Sequence, residues 1–108
     1  MGKALISDSL IPSKMPAYTV RVELRNHPTS AQYAQLHVAM ERLGFVRTIV
    51  GWGQVKYQLP TAEYYIISDY TPEALTILVY NAAELIDPEC AVLTVEVNNI
   101  WWNGLTKA

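Results

Sequence analysis

Two imidazoles, a few arginines and one thiol are the side chains in this 108-residue chain whose chemistry could do more than hold a fold. His37 follows Leu36 on what reads as the apolar stripe of a helix. An imidazole titrates near neutrality, so it can take or give a proton in a transition state. Cleavage of RNA by its own 2′-hydroxyl needs a base near the 2′-oxygen, an acid near the leaving 5′-oxygen and a cation on the phosphate. His37 with Arg21, Arg25 or Arg47 has the residue types for that chemistry. The same position also suits a partly buried histidine satisfied at the core edge. His27, in a turn beside Pro28, reads as exposed; it becomes a second imidazole only if the start of the helix folds over the end of the preceding strand.

Other chemistries find little support. There is no G-x-G-x-x-G, no P-loop and no G-x-S-x-G, so no cofactor-binding fingerprint is present. Cys90 is the single cysteine, which rules out an internal disulfide and a cysteine-rich metal site, and it reads as a buried inert thiol. Glu23, Asp69 and Glu96 are acidic, but the first strand ends on Arg25-Asn26-His27 without an aspartate, so no metal site is expected. The formal net charge is −2, so nucleic-acid contact must come from a local basic cluster rather than from a general basic footprint. With 51% hydrophobic and 17% charged residues the chain can bury a core, and its length fits one domain. No apolar run approaches a membrane span and no secretory signal is legible, so a cytoplasmic protein without membrane contact is expected.

The elements that must position these residues follow from periodicity. Residues 1–15, punctuated by Ser7, Asp8, Ser9 and Pro12, read as a flexible arm. Alternation over 18–24 places Tyr18, Val20, Val22 and Leu24 on one face of a strand and Arg21, Glu23 and Arg25 on the other. A helix is expected from a Thr29 or Ser30 cap to Leu43, with Tyr33, Leu36, His37, Met40 and Leu43 as its stripe and Gly44 as its stop. Residues 45–50 and 63–68 read as a second and third strand in a long irregular hairpin, with Gly51-Trp52-Gly53 as a turn or bulge. A second helix begins near Pro72, with Leu75, Leu78, Val79, Ala82, Leu85 and Ile86 as its stripe, and Asp87-Pro88 stops it. A fourth strand covers 91–97, and residues 99–108 form a tail bearing Trp101 and Trp102.

Strand, helix, strand, strand, helix, strand is the split βαβ order. It predicts an α+β, ferredoxin-like βαββαβ sandwich: a four-stranded antiparallel sheet with both helices on one face, spanning 16–98. The open face would then carry Arg21, Glu23 and Arg25, joined by Thr94 and Glu96 of the last strand. Such a polar face with tyrosines nearby can hold single-stranded nucleic acid. It can equally be a solvated surface or a homodimer interface, with the tail as a second dimerisation element.

The runs Tyr18-Thr-Val-Arg-Val-Glu-Leu24, Leu36-His-Val-Ala-Met40, Gly44-Phe-Val-Arg-Thr-Ile49 and Tyr57-Gln-Leu-Pro-Thr-Ala-Glu-Tyr64 are similar to the GhoS-type endoribonuclease antitoxins of type V toxin–antitoxin systems. The resemblance spans about residues 16–105. It implies a ferredoxin-like fold akin to small CRISPR-associated nucleases, and an activity that cuts the single-stranded messenger RNA of a membrane-lytic toxin. It places His37 where the family carries a functional arginine on its first helix, which keeps a proton donor and loses a permanent charge. The expected function is metal-independent cleavage with His37 as proton carrier and Arg21, Arg25 and Arg47 on the phosphates. The alternative is a non-catalytic dimerisation module of the same fold.

Overall fold

The structure is a computed structural model that describes residues 15–108, so the expected arm lies outside the described residues except for Met15. In chain order the elements are β1 (Ala17–Glu23), α1 (Ser30–Arg42), β2 (Thr48–Val50), a short 3-10 turn (Trp52–Gln54), β3 (Lys56–Gln58), β4 (Glu63–Ile67), α2 (Pro72–Ala83) and β5 (Ala91–Val97). It is a mixed α+β fold. β1 is the central strand of an antiparallel sheet ordered β4-β1-β5, and β2 and β3 form a separate two-stranded hairpin.

Each helix starts where its cap residue predicts. The Thr29 side chain accepts the backbone N–H of Gln32, and the Gln32 side chain accepts the backbone N–H of Thr29 in return, which satisfies two orphan donors. Gly44, at φ +97°, provides the left-handed residue that ends α1. Thr71 caps α2 ahead of Pro72. The core is the inward face of β1 (Tyr18, Val20, Val22) closed by Leu36 and Met40 of α1, Leu75, Val79 and Ala83 of α2, and Tyr64 of β4. Both helices therefore cover one sheet face.

Four features differ from, or add to, what the sequence predicts. First, the sheet has three strands, not four. Only Val46 reaches β4, through paired backbone bonds with Tyr65 at 2.9 Å, before the chain peels away. The hairpin leaves because it has cover of its own. Ile49 is buried in it, Trp102 packs on Tyr57, and the end of the chain pairs along β3 through Gln58 N–H to Thr106 and Ala108 N–H to Lys56.

Second, the tail docks on its own hairpin. Gly51 lets it come close: a Cβ there would lie 3.0 Å from the Trp102 ring. Third, Thr94 and Glu96 face the helices. Their register partners are Val20 and Tyr18, and the Thr94 hydroxyl shares a 2.6 Å hydrogen bond with Thr76 of α2. Leu93 and Val95 take the open face instead, beside Arg21 and Thr19. Fourth, α2 ends at Ala83, three residues before the end of the expected stripe, so Leu85 lies beyond the helix at 86% exposure.

The far ends of the sheet and of α2 are tied by Asp87. Its buried carboxylate accepts the backbone N–H groups of Arg25 (2.6 Å), Asn26 (2.9 Å) and Glu89 (2.9 Å). These bonds hold its carboxyl below the ordinary range. Cys90, next in this turn, is buried, and burial pushes its thiol up, as suits an inert side chain. No described helix is long and apolar enough to cross a membrane.

Candidate functional site

The sequence puts His37 on α1 one turn after Tyr33, and puts Tyr64 on the inward side of β4 because Tyr64 pairs with Val20. Packing α1 against the β4 edge brings the two rings together. Nδ1 of His37 is hydrogen-bonded to the Tyr64 phenol at 2.7 Å, with ring centroids 5.8 Å apart. Tyr64 is 0% exposed, and His37 is half-buried. That phenol has no other hydrogen-bond partner among the described residues, so the pair is mutually dependent.

A cavity of about 290 Å³ opens beside the pair, and His37, Glu41, Arg47 and Tyr64 supply its polar groups. Phe45, Val38 and Val46 form its apolar walls. Burial, aided by the neighbouring Arg47 guanidinium, lowers the His37 pKa, so the imidazole is neutral at physiological pH. Burial pushes the Tyr64 phenol up to about 12 against the opposing pull of Arg47, so it keeps its proton. Arg47 is exposed and makes no ion pair among the described residues. A neutral imidazole in a fixed orientation beside an uncommitted cation can exchange a proton and hold an anion in one place.

Arg21 and Arg25 are elsewhere. Both stand toward the opposite sheet face, in a second cavity of about 600 Å³ that also includes Glu23 and Tyr33. Each is already engaged: Arg21 with Glu63 at 2.8 Å and Arg25 with Glu23 at 2.9 Å. Exposed pairs of this kind are worth less than about 1 kcal/mol. The four expected site residues therefore divide into His37 with Arg47, and Arg21 with Arg25. His27 is exposed in its turn at φ +49°, apart from the His37 cavity. Among the described residues no group of three or more His, Cys, Asp or Glu could hold a metal ion.

Sequence reasoning named Tyr64 or Tyr65 as a stacking tyrosine near the open face and missed Tyr64 as the inward partner of His37. The signal was available: as the second residue of the third expected strand, its parity places it inward, where a phenol must find a partner. It also missed the apolar character of the open face, where Leu93 (61%) and Val95 (48%) of β5 and Ile67 (55%) of β4 are exposed on either side of β1.

Searches of protein-family models, characterised proteins and solved structures return no match to this chain.

Proposed function

We propose that the chain is an endoribonuclease of the antitoxin type, cutting a single-stranded toxin messenger RNA by 2′-hydroxyl attack in the cavity of His37, Tyr64 and Arg47. The observation that carries this reading is the imidazole held at 2.7 Å by a buried phenol beside an unpaired guanidinium in an open cavity. With its proton on Nδ1, His37 donates to the Tyr64 oxygen and turns an Nε2 lone pair to the substrate. The 2′-oxygen bonds to phosphorus as its proton passes to Nε2. The bond from phosphorus to the 5′-oxygen then breaks, and that oxygen takes the proton back. The products are a 2′,3′-cyclic phosphate and a 5′-hydroxyl end, and no cofactor enters. Arg47 faces the charge that grows on the phosphoryl oxygens.

In the same reading the fold is ferredoxin-like: the Val46–Tyr65 bridge occupies the place of a fourth strand beside β4, in the order expected of a split βαβ sheet. The test is incubation of the full chain with a toxin transcript in EDTA. Cleavage to cyclic-phosphate ends is expected, lost by at least tenfold in Arg47→Gln and nearly abolished in His37→Ala, both still folded by circular dichroism. Undiminished cutting by His37→Ala would sink the assignment.

A second reading is favoured by one observation, the exposed Leu93, Val95 and Ile67 on the open sheet face. An apolar patch of that kind suits a homodimer interface. Light scattering that finds a monomer at high micromolar concentration would remove this reading, and loss of a dimer in Val95→Lys would support it.

A further inference from the structure

The cavity of Arg21 and Arg25 has no part in the proton chemistry. We infer that it is a nucleobase subsite, joined past Tyr33 to the phosphate-holding cavity at His37. This rests on the single-stranded RNA reading above and adds what that reading lacks, a source of sequence preference.

Each guanidinium in this cavity sits against a carboxylate, Arg21 with Glu63 and Arg25 with Glu23. A phosphate entering here would meet both carboxylates, and their repulsion offsets the attraction. A base edge presents donors and acceptors together, so it can use both halves of each pair. The pairs are solvent-exposed and weak, so a ligand can open them. Guanine fits best, because O6 and N7 accept from an arginine while its ring and exocyclic N–H groups donate to a carboxylate. Arg47, with no carboxylate partner, is left as the phosphate contact.

Tyr33 connects the two places. It lines the arginine cavity and stands four residues before His37, on the same face of α1. Its phenol also lies close enough to Tyr64 to act on that group's ionisation. Its half-buried ring packs partly against the core and partly lines the arginine cavity, where a base can stack on it.

The experiment uses the full chain and two fluorescein-labelled 2′-O-methyl RNA 12-mers, which cannot be cut by 2′-oxygen attack. One is all uridine and the other has one central guanosine. Anisotropy is read over a range of salt. The guanosine strand is expected to bind about fivefold more tightly or better. The charge-neutral pair Arg21→Gln with Glu63→Gln should erase that preference and keep the salt slope. Arg47→Gln should keep the preference and flatten the log–log salt slope by about 0.7. Tyr33→Leu should weaken both strands, with Tyr33→Phe close to wild type. Equal binding of the two strands by the wild type overturns the subsite, as does a flattened slope in the Arg21/Glu63 double variant. Binding with the preference but no cleavage of an unmodified transcript overturns the catalytic reading alone. Cleavage with no base preference overturns the subsite alone.

Discussion

The hydrogen bond between His37 and Tyr64 makes a prediction about stability that does not depend on any substrate. In His37→Phe the Tyr64 hydroxyl stays in a fully buried position and loses its one partner. A buried polar group left unpaired costs about 1–3 kcal/mol. In Tyr64→Phe the half-buried imidazole can turn its freed nitrogen to water, so only the net worth of the bond is lost, about 0.5–1.5 kcal/mol. The double variant His37→Phe with Tyr64→Phe removes both polar atoms and keeps both rings. Its cost should fall well short of the sum of the singles, by about 1 kcal/mol or more, because the orphaned hydroxyl is gone. Urea unfolding at pH 8, where the imidazole is neutral in folded and unfolded chains, measures all four proteins. In thermal melts the same coupling is worth about 4 °C or more for a chain of this size. Costs that add to within about 0.4 kcal/mol would refute the pairing, because uncoupled sites behave that way.

Further outcomes follow from the same contacts. Because the folded-state pKa of His37 lies below its ordinary value, the unfolded chain binds a proton that the folded chain refuses. Stability is therefore full above about pH 6.5 and falls as the pH drops from there toward the folded pKa, and histidine proton NMR of Arg47→Gln should show that pKa moving up. Asp87 carries the opposite case of a depressed carboxyl: its contribution is full above about pH 4 and is lost as the pH falls through its folded pKa. Asp87→Asn should lower the urea midpoint at pH 7 and flatten the acid limb of the stability curve. Gly51→Ala should cost about 1–3 kcal/mol, since its Cβ would press on Trp102 at 3.0 Å and Tyr57 at 3.1 Å, and limited proteolysis should then cut the tail faster than in wild type.

Several of these features were legible in the chain before any coordinates. The alternation of Tyr18, Val20 and Val22 with Thr19, Arg21 and Glu23 fixes which side of β1 is core, because side chains on a strand have a period of two. Thr29 and Gly44 mark the ends of α1 through local hydrogen bonds and backbone freedom, and Thr71-Pro72 marks the start of α2. These are short-range effects, and they depend on a few neighbouring residues only.

What escaped the sequence depends on partners far along the chain. The face taken by Leu93 and Val95 depends on which residues of β5 stand opposite β1, and alternation alone put Thr94 and Glu96 there instead. The departure of β2 from the main sheet depends on the tail, 50 or so residues later, supplying the hairpin with Trp102 and a backbone partner. The grouping of His37 with Arg47 and Tyr64, and the separation of both from Arg21 and Arg25, comes from α1 lying on one side of the sheet while those arginines project from the other. Period and capping are written in adjacent residues, so the start of each helix and the inward face of the first strand can be read from the chain alone. Register and layer are set by contacts between distant segments, so which charged groups share a cavity emerges only once the chain is packed.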